Sequence, residues 1–129
     1  MPNPPRTLAL TVLTWLGRAA LALVFLGAGA SKLVGEPAMV TMFDAIGAGQ
    51  WLRYAVGALE VAGAVGVLVP RLSALAAAGL ALLMVGATAT NLTILGTSPA
   101  LTLVLLVLAL LVAWAGWRRA VPRGAVLTA

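Results

Sequence analysis

The chain contains no cysteine and no histidine. Disulfides and thiol redox chemistry are thereby excluded. Histidine-ligated haem, iron–sulfur clusters and ordinary zinc or copper centres also lose their usual ligands. Charge is nearly as scarce: 9% of the 129 residues are charged, where a soluble domain carries about 25%. Acid is scarcest, with three Asp and Glu against eight Lys and Arg, a formal net charge of +5. What fills the chain is hydrophobic, at 63%. So apolar a chain does not stay in solution alone, and the length suits one compact membrane domain. Nucleic acid is rejected as a partner. The arginines stand at the ends of apolar runs, as membrane-boundary markers do, rather than in a patch.

Four apolar runs define the organisation. Residues 1–14 form an N-terminal tail or the start of the first helix. The first span is expected over 15–33. A cleaved secretory signal fits poorly, because Arg18 interrupts the run and the apolar region is too long. Spans two, three and four are expected at 51–69, 72–95 and 99–117, within a transmembrane domain of 15–117. Residues 118–129 form a C-terminal cytoplasmic tail. The one long loop, 36–50, has Met39, Met42, Phe43 and Ile46 at helical spacing, with Pro37 to start a helix and Gly47 to end it. The fold expected is all-α, a transmembrane four-helix bundle with a short amphipathic helix in the first outer loop.

An even number of spans puts both termini and the Pro70 turn on one side. That side carries Arg6, Arg18, Arg71, Arg118, Arg119 and Arg123; the other carries Lys32 and Arg53. The asymmetry places both termini in the cytoplasm of a multi-pass cell-membrane protein. Trp15, Trp51, Trp114 and Trp117 fall near span ends, as an interfacial aromatic belt does.

Glu60 is the exception within the spans. A charge at mid-membrane costs about 2.5–3.5 kcal/mol on insertion scales. Glu60 must therefore face protein, pair with a cation or be protonated. Its helical neighbours Val56, Gly57, Gly63 and Ala64 are mostly small, and Ala58, Ala62 and Gly66 make a second small line. Small residues let a neighbouring backbone approach closely. Lys32 is the best cation by depth, with Arg18 the runner-up and Arg53 two turns away on the same helix. Asn91 lies at a similar level on the third span. Lys32, Glu60, Asn91 and Arg18 are thus the candidates for a ligand-binding site or a polar core. Two readings stand side by side: a polar pocket open to the outer leaflet, or a cluster that only fixes packing. Arg18 could equally snorkel to lipid phosphates. Ser31, Thr88 and Thr102 read as backbone-bonding residues, and Glu36 and Asp44 as solvated. No nucleophile–base pair, paired carboxylates or phosphate loop is present.

The order of these features resembles the DoxX-like family of small four-helix membrane proteins, over about residues 17–117. Arg18 opens the first span. Phe25, Gly29, Lys32 and Leu33 match the family's F-x-x-x-G-x-x-K-L pattern, and Glu60 and Gly63 match its E-x-x-G. The resemblance implies a four-helix bundle related to the DoxD subunit of a thiosulfate:quinone oxidoreductase. It also implies contact with membrane or peripheral redox proteins and with a quinone, no cofactor being covalently bound. Three functions follow as expectations. The first is a quinone- or isoprenoid-lipid-binding component of a membrane redox system, not a self-sufficient enzyme. The second is a non-catalytic assembly or scaffolding subunit. The third is a small-molecule transporter acting as a homo-oligomer.

Overall fold

The computed structural model describes residues 5–120. The helices are α1 (Pro5–Val34), α2 (Pro37–Ile46), α3 (Trp51–Leu68), α4 (Ser73–Thr90) and α5 (Ala100–Ala120). A π-helical turn, Asn91–Leu95, extends α4. Four candidate spans, Thr7–Val34, Trp51–Leu68, Ser73–Leu95 and Ala100–Arg118, are long and apolar enough to cross a membrane. The chain is all-helical among its described residues, and α2 is the short fifth helix in the first connection.

α1 is longer than the span expected at 15–33. It has 30 residues and a length of about 45 Å, against a hydrocarbon core of about 30 Å. The reason is local. Pro5 is tolerated in a first turn, and no breaker follows until Gly17. Thr11 and Thr14 return their hydroxyls to the carbonyls of Thr7 and Leu10, so neither disturbs the helix. The expected N-terminal tail thus contributes helix from residue 5 onward, while residues 1–4 lie outside the described residues. The expected C-terminal tail likewise begins inside α5, and its residues 121–129 lie outside them.

The loop helix has the expected limits. Pro37 stands in the first turn of α2. Gly47 closes it in the left-handed region at φ 82°, its N–H donating to the Phe43 carbonyl. That backbone state suits glycine, which has no Cβ to clash.

α1 packs most extensively on α3, and α4 on α5, with α3 and α4 joining the two pairs. The core they enclose is apolar, with Leu21, Phe25, Val67, Leu80 and Ala109 at 1% exposure or less. The opposite faces, with Leu23, Leu75, Leu82 and Leu101 all beyond 65% exposed, present hydrocarbon outward. So much outward apolar surface suits contact with lipid. All four tryptophans are exposed.

Glycines set how closely the helices approach. A Cβ on Gly29 of α1 would stand 2.8 Å from the Gly57 carbonyl oxygen and 2.7 Å from Val61 Cγ2 on α3. A Cβ on Gly57 would stand 3.0 Å from the Gly29 carbonyl oxygen and 3.0 Å from Lys32 Cβ. The two backbones therefore touch at this level. The second small-residue line does this only at Gly66. Ala58 and Ala62 are exposed rather than packed on a helix. Gly66 is buried against α4, where a Cβ would stand 2.8 Å from Ala76 Cβ, and with Ala62 it also lines a cavity.

Candidate functional site

The Gly29–Gly57 contact fixes the register of the site. α1 and α3 are antiparallel, so Lys32 lies one turn beyond the contact towards α2, and Glu60 one turn away from it. Their Cα atoms are separated by about 9 Å along the helix axes. Two long side chains close that gap. Lys32 Nζ lies 2.8 Å from Glu60 Oε1, and the side chains are 12% and 3% exposed. Lys32 Nζ also reaches the Ala28 carbonyl oxygen of its own helix, at 3.5 Å. Among the described residues Lys32 is the one side-chain partner of Glu60.

Gly63, the glycine of the acidic motif, serves the other interface. A Cβ there would meet Leu80 Cδ2 of α4 at 2.6 Å. The motif residues thus share a structural logic. Phe25 fills the core, Gly29 lets α3 in, Gly63 lets α4 in, and Lys32 and Glu60 neutralise each other between them.

Beside the pair is a cavity of about 1110 Å³. Its wall combines Lys32 and Glu60 with Ser31, Thr90, Asn91 and Thr102, and is otherwise apolar. α2 closes its polar end with Met39, Met42, Phe43 and Ile46, the four residues whose spacing marked the helix. These do more than pack a loop: they form a roof. From there the cavity runs along α3 and α4 to Gly66, Leu72 and Leu75. Leu59, Leu72, Leu75 and Leu82 of its wall are themselves exposed, so the cavity is a groove open sideways to the lipid.

Asn91 shares this wall without touching the ion pair's side chains. It starts the π-helical turn, where its Nδ2 approaches the Ser98 carbonyl oxygen at 3.4 Å and its own carbonyl accepts from Thr97 N–H at 3.0 Å. A π-turn is a rare local irregularity that recurs at functional positions. Thr88 Oγ1 donates to Thr102 Oγ1 at 2.8 Å, joining α4 to α5, while Thr102 also donates to the Pro99 carbonyl. The threonines therefore link helices as well as satisfying backbone. The Ser31 hydroxyl bonds within its own helix, donating to the Ala28 carbonyl oxygen at 2.8 Å.

Arg18 does not join the other three candidates. It sits fourteen residues before Lys32 on α1, about 21 Å along the axis, and outside the cavity wall. Nor does it snorkel outward. Its residue is 2% exposed, with the guanidinium 4.9 Å from the centre of the Trp15 ring.

Sequence reasoning missed Arg53 and Gln50. Arg53 is 5% exposed and lies over the Tyr54 ring at 4.2 Å. Its Nη1 donates to the Lys32 carbonyl oxygen, one of the last carbonyls of α1, and its Nε donates to Gln50 Oε1 at 2.7 Å. Gln50 Nε2 in turn reaches the Val40 carbonyl oxygen at 3.0 Å and Asp44 Oδ1 at 2.7 Å. This chain ties the end of α1, the roof helix α2 and the start of α3 together. The available signal was the end of α1 itself: its last carbonyls need donors, and a cation is the preferred one. Asp44 is exposed but serves this chain, while Glu36 is exposed at the N-cap of α2 without a side-chain capping bond.

Among the described residues no group of three His, Cys, Asp or Glu side chains gathers as a metal site would need. The groove can chemically do two things. It can hold an elongated apolar molecule, and at one end it can offer that molecule hydrogen bonds from an internally neutralised pair.

Comparison with curated proteins and with solved structures finds no match. The model of the DoxX-like family matches residues 16–114, which includes both motifs, the roof helix, the second and third spans and most of the first and fourth. The chain is an integral, multi-pass membrane protein that belongs to the DoxX-like family.

Proposed function

We propose that this protein binds a quinone or another isoprenoid lipid, as the membrane component of a redox system in the cell membrane. The observation that carries the reading is the groove: about 1110 Å³, apolar along its length, open to lipid, with Lys32 and Glu60 in its wall at one end. Small-molecule sites are typically about 300–1,000 Å³ and combine apolar walls with a few placed polar groups. At about 1110 Å³ this groove is slightly larger than that range, which leaves room for a head carrying a prenyl tail. Asn91 and Lys32 donate to the head, and Met39, Met42 and Phe43 cover it. The chain brings no thiol or imidazole of its own, so electrons reach the bound molecule from a partner protein. In this reading both termini face the cytoplasm and α2 lies at the outer face.

The test is equilibrium binding of menaquinone and ubiquinone to the protein in lipid nanodiscs, alongside Glu60→Gln. Saturable binding weakened in the variant is expected. Absence of saturable binding of either quinone to the wild type would leave the groove as packing and favour an assembly subunit.

A further inference from the structure

The charge and hydrogen-bonding capacity of the Lys32–Glu60 pair narrow what the head of the ligand can be. This step rests on the binding proposed above. An ammonium has three donors, and an ionised carboxylate accepts on both oxygens. Lys32 spends one donor on Glu60 Oε1 and a long one on the Ala28 carbonyl. One donor remains on Lys32. Glu60 has no other partner among the described residues, which leaves its second oxygen as an acceptor. Both residues line the groove. The wall therefore presents a donor and an acceptor side by side with no net charge. Arg53, the nearest other cation in sequence, is occupied by the Lys32 carbonyl and Gln50. Among the described residues no acid or base besides Lys32 and Glu60 lines the groove.

We infer that the site selects an uncharged hydroxyl head on a prenyl tail, as in a quinol or an isoprenol, over a quinone and over a prenyl phosphate. A hydroxyl gives its hydrogen to Glu60 and accepts from Lys32, which satisfies both. A quinone carbonyl only accepts, so it satisfies Lys32 and sets a lone pair beside the open carboxylate oxygen. A phosphate adds negative charge where the one cation is already neutralised, and an uncompensated charge in a low-dielectric groove is costly.

The experiment measures dissociation constants in nanodiscs for four probes with matched tails. They are a short-chain menaquinone, its anaerobically reduced quinol, geranylgeraniol and geranylgeranyl phosphate. The quinol is expected to bind about tenfold more tightly than the quinone. The couple takes up two electrons and two protons, so tenfold preference raises its midpoint potential on binding by about 30 mV. Geranylgeraniol is expected to bind more tightly than its phosphate, and its rank against the quinol tells which hydroxyl the site prefers. In Lys32→Met with Glu60→Met, both preferences are expected to collapse while tail-dependent binding persists. Replacing a buried pair by apolar residues of similar size often leaves folding intact. If that variant does not fold, the wild-type ranking decides. Equal affinity for quinone and quinol, tightest binding of the phosphate, or preferences that survive in the double variant would each overturn the inference while lipid binding stands. No binding of any prenyl probe would overturn both.

Discussion

Lys32 is held at two points by two different residues of α3. Its carbonyl accepts from Arg53, and its ammonium donates to Glu60 two helical turns further along. The first contact fixes the end of α1; the second removes a buried charge. They are separable by mutation. Lys32→Met keeps the backbone carbonyl and much of the stem but leaves Glu60 without its cation. Breaking a buried pair by removing one partner costs about 3–5 kcal/mol, whereas two neutral groups in its place cost far less. Lys32→Met is therefore expected to lower the unfolding temperature in detergent markedly. Adding Glu60→Gln should recover part of the loss. Thermal unfolding across the four-member cycle reads the coupling, and strictly additive losses would mean that the 2.8 Å contact does not contribute in solution.

At the scale of the helix, the same pair depends on how closely α1 and α3 approach. Gly29 and Gly27 are two residues apart and give a controlled comparison. A Cβ at Gly27 would meet nothing within 4 Å; one at Gly29 would strike the Gly57 carbonyl and Val61. Gly27→Ala is expected to be neutral or slightly stabilising, up to about 1 kcal/mol, from helix propensity. Gly29→Ala must push the helices apart, at a cost of about 1–3 kcal/mol, and lengthen the reach from Lys32 to Glu60. Urea or thermal unfolding of the two variants in one detergent discriminates them, and indistinguishable stabilities would show that the close approach is not needed. This also explains what was legible beforehand. Span positions, the limits of α2 and the depth match of Lys32 with Glu60 follow from hydropathy, Pro37, Gly47 and residue spacing, all local signals. The early start of α1 was open because Thr7 to Leu16 is apolar without being periodic in any decisive way. The bond from Arg53 to the end of α1 was hidden: it joins residues 21 apart in sequence, and its acceptor is backbone. The inward burial of Arg18 depends on how the other helices surround it, which hydropathy does not encode. The groove was illegible for the same reason, since it is a gap between helices that only packing creates.

For the whole molecule, the distribution of available cations bears on the proposed orientation. At the α2 end, Lys32 is paired and Arg53 is buried in internal hydrogen bonds. Neither is free to meet headgroups. At the opposite end Arg71 and Arg118 are exposed, and Arg118 stacks at 4.9 Å on the exposed Trp114. Arg18 withdraws from the count there, being buried, yet the asymmetry grows, because the other side loses both of its cations. Basic residues near span ends are retained in the cytoplasm. The exposed turn at Val69 is therefore expected inside the cell and the exposed turn at Thr97 outside. The absence of cysteine makes the native chain a ready background for single-cysteine labelling. Thr97→Cys should react with a membrane-impermeant maleimide on intact cells. Val69→Cys should react only after the membrane is permeabilised. Neither Val69 nor Thr97 lines the groove, and neither belongs to the Lys32–Glu60 pair. The reverse pattern would put α2 and the polar end of the groove in the cytoplasm. A redox partner would then have to approach from that side.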